Sequence, residues 1–421
     1  MFTNLKSKIT IFLSNFKEYT KTQKLLFFFI LFFVFLASFS TMALSGRYPL
    51  NYFNNAIYLL LLLLIIIFLI FYGVFRFDIY FLLLFLFNFF VLFSSLLSGF
   101  KNFNFSALLV STTSFFIYQL LINVDKPKQN VLFFSLFVGG LFFSAYFFVY
   151  YRNTILSFDF SNRIGGYFNN INEMAKYFVF LGLISFYLVL YKKRFEHIIL
   201  FVIFLLFLVW TGSRSNLLSL IILILFLLYF KFQGMKKRYY LYVLLFLALI
   251  SILVMQMDFM ESFKTRLYNS FLTLFRGGSD NILDYSTESR KRALYEAFEL
   301  FLQRPLFGYG YFGTNLYSFR QMSTHNNFVA LLGGFGLPAF LAFETFLLVP
   351  TYLFIQNRKK YKKNDFALLS VAIISYVFIF QLFLINYYTK LEYFFIPFAY
   401  IQIYEPNQFV EINFRESKTL T

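Results

Sequence analysis

The side chains best suited by type and spacing to do chemistry are arginines and one histidine: Arg163, Arg214, Arg290, Arg292 and His325. A guanidinium offers a planar fork of N–H donors that matches phosphate oxygens two at a time, which a lysine ammonium cannot do. An imidazole exchanges a proton near neutral pH, and cations close by favour its neutral, proton-accepting form. The set suits a reaction in which a phosphorylated group departs while a hydroxyl gives up its proton. Cysteine is absent, histidine occurs only at His197 and His325, and no Asp-x-Asp pair exists to hold a cation, so neither a metal nor an organic cofactor is expected.

Each of these residues sits in a stretch with its own character. Arg214 lies in Trp210-Thr-Gly-Ser-Arg-Ser215, where Gly212 permits a sharp turn, the serines are expected to cap the amides of the next helix, and that helix's dipole adds to the positive charge. Arg163 opens Arg163-Ile-Gly-Gly-Tyr-Phe-Asn-Asn-Ile-Asn-Glu173, with Asn172 a candidate helix cap and Asn170 a candidate sugar ligand. His325 follows a glycine-rich turn at Gly308, Gly310 and Gly313 and precedes Asn326. Asn170, Asn172 and Asn326 are therefore the candidate substrate contacts. The competing readings are local: an arginine can snorkel at a helix end, and an asparagine can serve a turn or cap with no ligand.

Composition dictates what must position these stretches. Of 421 residues, 60% are hydrophobic and only 13% charged, too little polar surface for a water-soluble globule. The apolar runs lack the alternation of barrel strands. The expected fold is an all-α polytopic membrane protein of about twelve transmembrane helices. They fall near 25–44, 55–74, 77–98, 106–124, 130–151, 172–191, 198–211, 214–230, 239–257, 326–355, 366–387 and 390–404.

Lys126, Lys128, Lys192, Lys193, Arg194, Lys231, Lys236, Lys237, Arg238 and the basic run 358–363 occupy alternate loops, so the positive-inside rule places both termini in the cytoplasm. The chain then divides into a cytoplasmic tail 1–24, spans over 25–257 with an outer loop 152–171, an extracytoplasmic loop 258–325, spans over 326–404, and a cytoplasmic tail 405–421. The net charge of +18 is unevenly divided, lysines gathering inside and arginines such as Arg47, Arg152, Arg304 and Arg320 outside. Either cation serves topology, so an outer bias toward arginine points to a phosphorylated ligand, with anionic lipid headgroups or acidic sugars as the alternative.

The long outer loop needs packing of its own. A helix is expected over Thr287–Gln303, with Leu294, Phe298, Phe301 and Leu302 at helical spacing, Ser286 or Thr287 as cap, and Pro305 as terminator. It is expected to lie on the outer membrane surface or to fold over the bundle as a lid.

The ordered set of Gly166-Tyr-Phe-Asn-Asn-Ile-Asn172, Thr211-Gly-Ser-Arg-Ser215, Arg290 to Tyr295, Arg304-Pro-Leu-Phe-Gly-Tyr-Gly310, Ser323-Thr-His-Asn326 and Gly333 to Pro338 resembles the O-antigen ligase and Wzy-type polysaccharide polymerase superfamily of the bacterial envelope. The resemblance covers roughly 162–338. It implies a metal-independent, inverting glycosyltransferase acting on undecaprenyl-diphosphate-linked oligosaccharide at the outer face of the bacterial cytoplasmic membrane. It also implies that Arg214 and Arg290 hold the lipid pyrophosphate and that His325 activates the acceptor hydroxyl; Arg163 and Arg292 are candidate pyrophosphate ligands from their own setting. Where the pattern has an arginine four residues before Tyr295, this chain has Lys291, flanked by Arg290 and Arg292.

A repeat-unit polymerase for a capsular, exopolysaccharide or O-antigen glycan is the favoured reading, with a ligase that moves finished glycan to another acceptor as the alternative. Expected partners are the lipid-linked oligosaccharide, membrane lipids, a chain-length regulator and a flippase, and no nucleic acid. A flippase-like transporter of lipid-linked sugars is the competing class. It would place its site near the midplane in repeated, broken helices, whereas the spans here hold few ionisable residues, chiefly Lys176 and Glu344.

Overall fold

Leucine- and phenylalanine-rich runs become helices in lipid because a helix satisfies its backbone hydrogen bonds within itself. The computed structural model describes residues 19–44, 50–99, 103, 105–157, 164, 171–232, 285–311, 313–317, 324, 326–361, 364–382, 390–403 and 410–412. Every expected span is a helix except 239–257, which lies outside the described residues. In chain order they are α1 (Lys21–Leu44), α2 (Leu50–Tyr72), strand β1 (Phe75–Phe77), α3 (Ile79–Leu97), α4 (Phe105–Asn123), α5 (Lys126–Tyr150), α6 (Arg152–Leu156), α7 (Ile171–Lys192) and α8 (His197–Thr211). There follow α9 (Arg214–Lys231), α10 (Tyr285–Gln303), α11 (Gly313–Tyr317), α12 (Asn327–Gln356), α13 (Arg358–Tyr361), α14 (Asp365–Phe380), α15 (Lys390–Ile403) and strand β2 (Val410–Ile412).

The chain is an all-α polytopic membrane protein. Helices α1, α2, α3, α5, α7, α9 and α12 contain apolar stretches long enough to cross a bilayer, and α4, α8 and α14 add shorter ones. Phe28, Leu60, Phe85, Phe142 and Ile199 stay exposed on the outside of the bundle, while Tyr58, Phe143, Phe180 and Tyr376 fill its interior. That is the pattern of helices bathed in hydrocarbon rather than water.

One end of the bundle carries a small departure from an all-helical chain. β1 pairs antiparallel with β2, Arg76 opposite Glu411. Beside β1, the carboxamides of Gln119 and Asn123, one turn apart on α4, act as a substitute strand. Asn123 Oδ1 accepts the Val74 amide at 2.7 Å and its Nδ2 donates to the Val74 carbonyl at 2.8 Å; Gln119 does the same for Arg76 at 2.9 and 2.6 Å. Two side chains thereby satisfy extended backbone that would otherwise be costly beside lipid.

The expected tenth span is not one rod. Gly336 in α12 has φ 81° and ψ 179°, a conformation open essentially to glycine alone, and the helix folds back there. Phe328 and Phe340 would stand about 18 Å apart along a straight helix, yet their ring centroids are 6.1 Å apart. The limb Asn327–Phe335 therefore lies beside the upper part of the limb beginning at Leu337.

The break frees backbone groups, and the segment after α10 takes them. Pro338 has no N–H to give the Gly334 carbonyl, which instead accepts from Gly310 N–H at 2.7 Å and from Ser94 Oγ of α3 at 3.0 Å. Leu337 N–H turns to the Pro305 carbonyl at 2.8 Å, releasing the Gly333 carbonyl for Tyr309 N–H at 3.1 Å. Glycine is required at this crossing, since a Cβ on Gly336 would stand 2.2 Å from the Leu306 carbonyl oxygen and one on Gly308 would stand 2.4 Å from Gly334.

These bonds anchor α10, and its packing corrects the sequence expectation. The buried face is Ala293, Ala297 and Leu300, with the Ala297 carbonyl 2.9 Å from where a Cβ on Gly333 would be. Phe298 and Leu302 are exposed, and Leu294 is half-buried. Close backbone approach between an alanine face and a glycine face displaced the larger apolar residues outward. The helix also begins at Tyr285, so Ser286 and Thr287 lie within it rather than at its cap, and it stops at Gln303 ahead of Pro305 as expected.

Candidate active site

Two short polar layers meet at one end of the bundle. The first surrounds the turn between α8 and α9. Gly212 takes φ 62°, the left-handed conformation that ends α8, and α9 begins at Arg214, which is half-buried. Ser213 does not cap α9 as expected, for its side chain makes no cap bond. Its Oγ donates to Asn172 Oδ1 at 2.9 Å and accepts from Asn216 Nδ2 at 2.8 Å. Asn216 also donates to the Asn172 carbonyl at 3.1 Å. Asn172 is thus no cap of α7 either; it lies in the first turn of that helix and ties it to α9. The Trp210 carbonyl accepts from Ile164 N–H at 3.2 Å, bringing the stretch after Arg163 in the sequence to the same turn.

The second layer lies where α12 starts. Asn326 caps α12, its Oδ1 accepting Val329 N–H at 3.1 Å, and Thr324 Oγ1 donates to the Asn326 carbonyl at 2.9 Å. Buried Asn327 gives its amide to the Gln381 carbonyl at 2.8 Å and its side chain to Gln381 Oε1. Gln381 Nε2 donates in turn to Glu344 Oε2 at 3.0 Å. The folded-back limb makes this chain possible by bringing Asn327 level with Glu344.

The end of α14 joins the layers. Tyr376 donates its hydroxyl to Asn216 Oδ1, on the Arg214 side, while Gln381 binds Asn327, two residues from His325 in the sequence. Tyr376 and Gln381 are separated by about 7.5 Å of helix. Beneath them Lys176 of α7 bridges Glu173 at 2.8 Å and Glu392 of α15 at 2.6 Å, with its ammonium 5.4 Å from the Phe380 ring centre. Lysine side-chain exposure there is 1%, so this is a desolvated charge cluster whose removal of one partner is costly.

Among the candidate residues, Arg214, Asn172 and Asn326 fall in these layers. Arg292 lies on the exposed side of α10 next to buried Ala293. Arg163, Asn170 and His325 lie outside the described residues, as does the side chain of Arg290, whose backbone belongs to α10. The sequence reading missed Asn216, Tyr376 and Gln381. Gln381 was detectable as a polar residue inside an otherwise apolar run, whereas nothing distinguishes Tyr376 among so many aromatics.

A helical membrane bundle with a folded-back span, braced by the helix α10 and carrying two polar layers at one end, is the class of protein these observations define. Residues 199–344, from α8 to Glu344, match the family model described as O-antigen ligase. The matched stretch contains the Arg214 turn, α10, the glycine crossing and the His325 position, and it supports a membrane function of glycan-ligase or polymerase type. No curated protein matches the chain.

Proposed function

We propose that the protein is a polymerase of undecaprenyl-diphosphate-linked oligosaccharide repeat units, a metal-independent inverting glycosyltransferase working at the outer face of the bacterial cytoplasmic membrane. The observation that carries this reading is the junction at α14, which holds the Arg214 turn through Tyr376 and, through Gln381, Asn327, two residues after His325 in the sequence. In the reaction, an acceptor sugar hydroxyl attacks the anomeric carbon of the donor. Its proton passes to the His325 imidazole as the new C–O bond forms, and the bond to the lipid diphosphate breaks with inversion. Arg214, with Arg163, Arg290 and Arg292, stabilises the negative charge that develops on the departing diphosphate.

The description of the matched family favours a second reading, a ligase that transfers finished glycan from the same carrier to another acceptor. Purified protein in liposomes with synthetic lipid-linked repeat units separates them. A ladder of products still attached to the carrier is expected for the polymerase, and His325→Ala abolishes it. Arg214→Lys lowers the rate by about two orders of magnitude, on the scale of losing one oxyanion contact. Transfer only to a different acceptor favours the ligase, and donor movement without a new glycosidic bond leaves a transporter.

A further inference from the structure

An apolar groove of about 660 Å³ runs between α5 and α8 on the lipid-facing side of α7. Both helices pack on α7 but diverge from each other, and Leu141, Ala145 and Phe148 of α5 face Ile203, Leu206 and Trp210 of α8 across the gap. Its one polar lining residue, Ser144, donates its hydroxyl to the Gly140 carbonyl at 2.9 Å and offers the groove nothing. From Leu200 to Trp210 the groove extends about 15 Å along α8, half of a hydrocarbon core about 30 Å thick. Phe148, Val149 and Leu206 are exposed along it, so a chain can enter sideways from the bilayer.

What stands at its outer end identifies the occupant. The short helix α6 lies across the outer end, with Ile155 and Leu156 in the lining. At the same end stands Trp210, four residues before Arg214 and bonded through its carbonyl to Ile164, while Leu141 and Leu200 mark the far end. Four residues span at most about 14 Å of chain. An occupant must therefore be one hydrocarbon chain with an anionic head that reaches the Arg214 turn. A phospholipid has two chains and a glycerol between them and its phosphate, which fits a single groove ending beside a guanidinium poorly.

We infer that this groove holds the polyprenyl tail of the lipid diphosphate, fixing the donor's phosphates at the Arg214 turn while the remainder of the tail stays in the membrane. The inference rests on the proposed function and adds the place where the carrier lipid is measured.

The test uses the full chain in detergent micelles, with undecaprenyl diphosphate and geranyl diphosphate as probes in native mass spectrometry. Ala145 is exposed to the groove, so Ala145→Trp fills it without entering the core. The variant is expected to weaken undecaprenyl diphosphate by about tenfold or more while changing geranyl diphosphate by less than about twofold. A benzophenone side chain at Val149 is expected to crosslink the long probe, and the same group at exposed Phe85 on α3 is not. Unchanged binding in Ala145→Trp, or displacement of the long probe by equimolar phosphatidylglycerol, would overturn the groove assignment while leaving the catalytic reading in place. Failure of the unaltered protein to bind either diphosphate removes the catalytic reading itself.

Discussion

The amide of Gly310 donates to the carbonyl of Gly334 across 2.7 Å, joining the segment after α10 to the limb of α12 that a proline left unsatisfied. A break in one element and a glycine turn in another are thus two halves of a single joint. Its geometry makes the glycines unequal.

Gly336→Ala puts a Cβ against the Leu306 carbonyl in addition to the strain of its backbone, which alone costs about 1–3 kcal/mol. Gly99 also has a positive φ, 69°, but open space around it, so Gly99→Ala bears only the backbone cost of about 1–2 kcal/mol. Thermal unfolding in detergent should show the larger fall in Tm for Gly336→Ala, together with faster proteolysis within α10. Equal shifts for the two variants would contradict the joint.

Tyr376→Phe deletes the hydroxyl that reaches Asn216 and leaves a buried carboxamide oxygen short of a donor, a loss of about 1–3 kcal/mol. Because Asn216 braces the Arg214 turn, donor KM is expected to rise more than kcat falls. A change confined to kcat, with Tm and KM unaltered, would dissociate α14 from donor binding.

Lys176→Met leaves Glu173 and Glu392 facing each other without a cation and is expected to destabilise the bundle by about 3–5 kcal/mol. Adding Glu392→Gln to that change removes one orphaned charge and should recover much of the loss. A double variant no more stable than Lys176→Met would show that the carboxylates do not interact through the lysine.

At the start of α3, Asp78 caps the helix, Oδ1 accepting Phe81 N–H at 3.1 Å and Oδ2 accepting the Tyr118 hydroxyl. Burial raises its pKa above the ordinary carboxylate value, outweighing these hydrogen bonds. A raised folded value means the native state binds the proton more tightly than the unfolded chain. The resulting stability is fully present below about pH 3.9, the unfolded value, and is lost as the pH rises through the folded value. Asp78→Asn keeps a capping oxygen but does not titrate, so Tm measured against pH should decline less steeply over this window than in the unaltered protein. Parallel curves would rule Asp78 out as the source.

Much of this architecture was legible because span length and glycine punctuation are local properties. The turn at Gly212 and the end of α10 before Pro305 could be read from a few residues each. What could not be read were choices settled by a distant partner. Leu294, Phe298 and Leu302 looked like the packing face of α10, yet the glycines of α12 admit a closer helix, so the small Ala293 and Ala297 went inside. The fold in α12 was hidden for the same reason: Gly336 and Pro338 allow a break, but Pro305, Tyr309 and Gly310 decide that it is a stable one. In the site, Ser213 looked like a cap until Asn172, far away in sequence, offered a better acceptor.

The lysine at the centre of the bundle constrains how the chain can be made. Glu392 is synthesised 216 residues after Lys176, long after α7 must have left the ribosome and been released toward lipid. Glu173, three positions earlier on the same helix, travels with the lysine and can escort it through the insertion machinery as an already neutralised pair. The last helix then arrives as a late keystone, so truncating the gene before residue 390 should produce a protein that inserts but is cleared by quality-control proteases.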